Sequence, residues 1–199
     1  MKWILPALLL LAGCATMPTG PADAPVVVRN TYGKVASETQ GIWRIQEPPR
    51  LYFTGKTASY KEVSAWARSA GAKAVFMGSD MVYAQLEAGS AVQAILWLKR
   101  FNEDTGYTYR DEARDCDNFS RRVRAFADLF DGARGQPAVF GLAVQMDRPF
   151  AGISDGNHAL NAVWTDEGVF VFEPQGLDLV YQRAEAWPNR RGVYGLEGD

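Results

Sequence analysis

The chain has 199 residues, enough for one compact domain with a leader. Hydrophobic residues make up 47% of it and six are tryptophan, so an ordered core is expected and wholesale disorder is excluded. The formal charge is −2, with 21 basic and 23 acidic side chains interspersed, which excludes a nucleic-acid partner held by bulk charge.

The chain opens MKWILPALLLLAGCATMPTG. Lys2 supplies a positive start. Trp3 to Ala12 is apolar but too short to span a bilayer, which takes about 20 residues. Leu11-Ala12-Gly13-Cys14 resembles the lipobox of bacterial lipoproteins, in which the leader is cut before the cysteine and that cysteine is lipidated. The resemblance implies a signal peptide over residues 1–13, a lipid on Cys14 and a membrane anchor at the cell envelope. Ala15 is similar to outer-membrane sorting signals, which implies the outer membrane, facing the periplasm. An ordinary secretory signal with a chance cysteine is the plainer alternative. Small residues and prolines follow, giving a lipidated tether over 14–28 and a single domain over 29–199.

Arg29 to Glu47 carries no clear pattern. Arg50–Gly55 reads as a short strand ended by its glycine. Residues 57–71 read as a helix capped by Thr57 or Ser59, with Val63, Trp66, Ala67 and Ala70 on one face and Gly71 at its end. A strand follows in KAVFMG and another in MVYAQL. Residues 90–104 read as a helix with Ser90 as its cap and Ile95, Leu98 and Phe101 in the core. In the helix after Asp115, Phe119, Val123, Phe126 and Phe130 form one apolar stripe, while Arg121, Arg122 and Arg124 lie off it as a solvated face. PAVFGLAVQM suits a central strand. HALNAVWTDEGVFVFEPQ reads as two strands around Asp166-Glu167-Gly168. Apolar groups on both faces of this hairpin place it in a sheet covered on both sides. Helices first and antiparallel strands after them predict an α+β fold.

The chain has two cysteines and one histidine, short of the four ligands of a structural zinc site. With lipid on Cys14, Cys116 is the one free thiol, in a compartment that oxidises thiols. Asp115 suits an N-cap, which puts Cys116 at the first helical position, where the helix dipole favours thiolate. His158 opens the HALNAVW strand after a glycine-bearing loop and is the one imidazole available to pair with it. Glu173 ends the hairpin's second strand before Pro174, with Asp178 a rival for orienting the ring. A two-residue loop at Asp166-Glu167 puts His158 opposite Gln175 and Leu160 opposite Glu173, making His158 and Glu173 diagonal neighbours. A plain three-residue loop puts them on opposite faces. Singly, each residue has a plainer reading: core cysteine, hydrogen-bonded histidine, strand-end charge. Trp164 and Trp187 are either groove residues or core.

Asp115-Cys116-Asp117-Asn118-Phe119, Asn157-His158-Ala159-Leu160-Asn161 and Glu173-Pro174-Gln175 resemble the papain-like cysteine peptidase domain at the C-terminus of a fungal agglutinin, over roughly residues 80–180. The resemblance implies a papain-like architecture with the nucleophile helix packed on an antiparallel sheet. It implies Cys116 as nucleophile, His158 as base, Glu173 as orienting acid and Gln175 as a polar group for an oxyanion or substrate. The chain lacks papain's CGSCW-type signature and any glutamine shortly before Cys116. The expected activity is a cell-envelope cysteine hydrolase cleaving peptide or amide bonds through an acyl-enzyme, with peptide, protein or peptidoglycan as substrate. DCDN is also similar to the DCSG of NlpC/P60 peptidoglycan peptidases. The rival from another class is a non-catalytic envelope lipoprotein acting as a binding module. The resemblance brings in calcium, for which Asp111, Glu112, Asp115 and Asp117 are candidate oxygen ligands, with cap and solvated loop as the plainer reading of these acids.

Overall fold

The computed structural model describes residues 24–69, 72–76, 81–110, 115–130, 135–153 and 156–198. In chain order the first half gives β1 (Val26–Val28), β2 (Ala36–Thr39), β3 (Ile42–Ile45), β4 (Phe53–Ser59), α1 (Tyr60–Ser69), β5 (Ala74–Phe76) and β6 (Val82–Leu86). Two helices follow, α2 (Ala88–Asp104) and α3 (Cys116–Ala127). The second half gives β7 (Gln136–Pro137), β8 (Val139–Met146), β9 (Gly156–Thr165), β10 (Gly168–Phe172), β11 (Leu179–Arg183) and β12 (Val193–Glu197).

The hairpin β9–β10 lies at the centre of a sheet ordered β1-β11-β10-β9-β8-β12-β5. Its strands alternate between two apolar clusters, as the period of two requires. Val163, Phe170 and Phe172 face a cluster with α2 and with Val123 and Ala127 of α3. Leu160, Ala162 and Val171 face a second cluster with Val63 and Ala67 of α1 and with Trp187. The sheet is covered on both sides for this reason. It is mixed rather than purely antiparallel: β12 pairs antiparallel with β8 and parallel with β5, and β6 pairs parallel with β7 and β9.

Helix α3 lies close on β8 and β9. Ser120 Oγ donates to Leu160 O at 3.1 Å, and Asn161 Nδ2 donates to Ser120 O and Phe140 O, both at 3.2 Å. Gly141 permits the approach, since a Cβ there would lie 3.1 Å from Ser120 Oγ.

Several local expectations change in three dimensions. Val26–Val28, read as the end of the tether, forms β1 against β11. The strand expected to end at Gly55 runs on to Ser59. Gly55 adopts φ 84° where the register with β6 shifts, so the glycine marks a bulge and not a stop. Ser59 is the α1 cap: its N and Oγ both donate to Glu62 Oε2 at 2.7 Å and its Oγ accepts from Glu62 N at 3.4 Å, the two halves of a capping box. Ser90 does not cap α2. It lies within the first turn, where its Oγ donates to Glu87 O, and the helix start is served from the hairpin turn by Asp166, whose Oδ1 accepts from Ala88 N at 2.8 Å. Of the three arginines read as solvated, only Arg121 is exposed. Arg122 stacks 4.2 Å from the Tyr107 ring, and Arg124 is buried and paired with Glu197 at 3.1 Å.

Asp166→Ala removes a cap supplied from a distant turn. It is expected to cost about 1 kcal/mol, or roughly 2–4 °C in thermal midpoint for a chain of this size. An unchanged melting curve would show that water replaces this cap without loss.

Candidate functional site

Helix α3 begins where the sequence places its cap. Asp115 is extended at φ −86° and ψ −172°, and its Oδ1 accepts from Asn118 N at 3.3 Å and Asn118 Nδ2 at 2.9 Å. Cys116 is therefore the first helical residue, half-buried and with a free thiol. Phe119 and Val123, on the buried stripe, fix the rotation of the helix. His158 is the third residue of β9 and pairs with Val144 of β8. The hairpin pairs Gly168 with Thr165 and Phe172 with Asn161, so its loop holds two residues, Asp166 and Glu167. Glu173 follows β10 directly and donates its N–H to Val180 O at 3.1 Å.

These three side chains meet. His158 Nε2 lies 2.7 Å from Glu173 Oε2. The Cys116 thiol is hydrogen-bonded to the same imidazole, which leaves Nδ1 as the nitrogen facing sulfur. The bond to His158 holds the thiol below its ordinary pKa against burial, with help from the Ala159 backbone, while the charge of Asp115 works the other way. Burial disfavours the charged imidazole, yet its hydrogen bonds to Cys116 and Glu173 outweigh that and push His158 up to about 9. The two shifts act together to favour the thiolate–imidazolium form of the pair.

Glu173 is 4% exposed and its second oxygen is also taken: Oε1 accepts from Gln175 N at 2.8 Å. Gln175, expected to act through its side chain, enters the site through its main chain. Beneath it lies Lys99 of α2, 3% exposed, whose Nζ donates to Gln175 O and, at 3.3 Å, to Gly176 O. Burial pushes Lys99 down to about 8, with Glu173 and Asp178 resisting. Sequence reasoning missed Lys99. The available signal was its spacing of seven and four residues after Val92 and Ile95, on the apolar face of α2. Asp178 is not the orienting acid. It accepts from Arg29 Nη1 at 2.7 Å and Asn30 N at 3.0 Å, tying down the segment after β1. Trp187 is core, at 1% exposure, whereas Trp164 borders a cavity of about 180 Å³ with Trp66 and Glu62.

Asp111, Glu112, Cys14 and the leader lie outside the described residues. Asp117 pairs with Arg121 at 2.6 Å, and a hydrogen bond between the two carboxyls holds Asp115 below and Asp117 above the usual carboxylate value. Among the described residues no group of three or more His, Cys, Asp or Glu is placed to hold a metal ion. The acids beside Cys116 thus serve as cap and ion pair.

No family model matches the chain, and no curated protein matches it. Two solved structures share its fold. One is PSL1a in complex with E64, with a TM-score of 0.52 and 17% identity over 81% of this chain and 55% of that one. The other is a Polyporus squamosus lectin bound to a human-type influenza-binding epitope, with a TM-score of 0.52 and 18% identity over 81% of this chain and 66% of that one. The chain spans between about half and two thirds of their length. The likeness shows an α+β fold with a helix packed against a mixed sheet, the papain-like architecture related to fungal lectins.

The expectation of a cysteine hydrolase is corrected here. At this identity the likeness carries the fold alone, one of the two proteins is a lectin holding its epitope, and neither comparison supplies a hydrolytic activity. Fold does not convey chemistry, and three side chains in contact are geometry rather than turnover. Enzyme, hydrolase and peptidase are therefore set aside for this chain.

Two outcomes test the electrostatics of the site. Iodoacetamide is expected to label Cys116 at pH 6.5, where an ordinary thiol of pKa about 8.5 is only about 1% thiolate, and His158→Ala is expected to slow that labelling at least about tenfold. Equal labelling of both proteins would remove the ion pair. The second concerns stability. His158, raised from about 6.5 to about 9, contributes stability that is fully present below pH 6.5 and lost as pH rises through 9. Cys116, lowered, contributes stability that is present above its ordinary value and lost as pH falls through its folded value. The two slopes oppose each other, so the native chain is expected to lose less stability between about pH 6.5 and 9 than the His158 shift alone would give. Cys116→Ser removes the thiol slope and the Cys116 share of the His158 shift, leaving the Glu173 share to set how stability falls as pH rises. A native chain that falls in urea unfolding as steeply as the His158 shift alone would give would contradict the pairing.

Proposed function

We propose that the chain is a non-catalytic binding module of the bacterial cell envelope. In this reading it is carried on a lipidated Cys14 at the outer membrane, facing the periplasm, and its ligand is peptidoglycan. The proposed ligand site is Cys116, His158 and Glu173, with Gln175 bracing the acid. The observation that carries it is the 2.7 Å contact between His158 and a Glu173 buried to 4% exposure, which fixes a charged centre beside the start of α3.

The N–H groups that open a helix have no intrahelical partner and donate. The thiolate beside them accepts. Together they match the carbonyl and the N–H of a peptide amide, such as those in the stems of the wall polymer. The charge of Asp115 opposes negative charge at this position. A fold related to that of a lectin with its epitope bound supports a glycan-bearing ligand, and the lipobox-like leader supports the envelope.

Purified sacculi should pellet the full chain, and Glu173→Gln should weaken that association about tenfold, the loss of one well-placed polar contact. Sacculi that leave the native chain in the supernatant would sink the reading. So would soluble muropeptides released at a rate that Cys116→Ala abolishes.

A further inference from the structure

A second site lies beyond the Met146 end of β8, beside the strand position that pairs with His158. Gln145, which pairs with Asn157 next to His158, borders a cavity of about 560 Å³ between the end of β8 and the turn from Glu185 to Gly192. Its walls carry Arg148, Arg190 and Arg191, together with Asp147, Glu185 and Trp187. Three guanidinium groups on one cavity are unexpected in a chain of net charge −2. Arg190 Nη1 donates to Glu185 O. Among the described residues Arg148 and Arg191 have no ion-pair partner.

The cavity is built rather than incidental. Asn189, 1% exposed, clamps the two walls together: Oδ1 accepts from Asp147 N at 3.2 Å and Arg148 N at 3.0 Å, and Nδ2 donates to Arg148 O at 2.9 Å. Gly192 lets the turn lie on β8, since a Cβ there would fall 1.9 Å from Gln145 O. Trp187 also lines the cavity and serves as a reporter beside it. It is 1% exposed, and its Nε1 is buried with no hydrogen-bond partner among the described residues.

The geometry points to a binding site for a phosphate group, held by Arg148, Arg190 and Arg191. Guanidinium forks match the paired oxygens of a phosphate, and a tetrahedral oxyanion has acceptors enough for three forks where a carboxylate has two oxygens. Asp147 and Glu185 cancel most of the local charge. Recognition is therefore directional, and its salt dependence should be shallow. The phosphate is either free, as a soluble ester, or the headgroup of a phospholipid.

Titration of the full chain with inorganic phosphate, followed by the indole N–H resonance of Trp187 and by calorimetry, tests the site. The resonance, assigned by its absence in Trp187→Phe, should shift on binding. Arg148→Ala/Arg191→Ala should weaken binding at least tenfold. Arg148→Lys/Arg191→Lys, which keeps the charge and loses the fork, should weaken it severalfold, and Arg121→Ala on the far helix should leave it unchanged. Phosphatidylcholine vesicles containing phosphatidic acid form the second arm. Binding of vesicles alone assigns a lipid headgroup, and binding of inorganic phosphate assigns a soluble ligand; both support the site. No response to either probe, or equal binding by the double alanine variant, overturns it.

Discussion

Burying a carboxylate is costly unless its oxygens are filled and an opposite charge lies near. Glu173 meets both conditions. Gln175 N–H takes one oxygen, the His158 ring takes the other, and Lys99 lies beneath on the same short turn. The rest of the site follows from this arrangement. A ring held by its Nε2 presents Nδ1 to sulfur, and a sulfur facing a charged ring is held as thiolate.

The sheet supplies the framework for that arrangement through one tight turn. The two-residue loop Asp166-Glu167 sets the β9–β10 register, which brings His158 and Glu173 within reach of each other. The same Asp166 receives the first N–H of α2 and fixes where that helix starts relative to the hairpin. Eleven residues further along α2, Lys99 then falls under Gln175 and Gly176. Register, helix start and buried lysine are therefore linked by one side chain in a surface turn.

What was legible in the sequence was local or periodic. The Asp115 cap, the stripe Phe119–Val123 and the doubly apolar hairpin each express a short-range rule, and each appears in the fold. What was not legible depends on partners distant in sequence. Ser90 has the chemistry of a cap, but Asp166, 78 residues from Ala88, occupies the helix start. Arg124 lies off the apolar stripe as a solvated residue would, yet Glu197 at the far end of the chain meets it in the interior. Lys99 resembles a solvated charge until its position on the apolar face of α2 is counted. Gly55 announces a break by type, and only its ladder partners show that it is a bulge. The site is a mixture of both kinds. The residue types of Cys116, His158 and Glu173 mark it, while the main-chain role of Gln175 and the support from Lys99 come from packing.

The same electrostatics bear on what such a centre does. Thiolate and imidazolium side by side form a nearly neutral dipole, so the centre attracts neither sign of ligand over distance. A carboxylate at Asp115 adds a negative charge on the helix side and works against the thiolate. An arrangement that stabilised growing negative charge would place donors there and keep acids away. Here the donors outweigh the acid: the His158 ring and the Ala159 backbone hold the thiol low despite Asp115, and the guanidinium groups of Arg148, Arg190 and Arg191 line a cavity beyond the same end of β8.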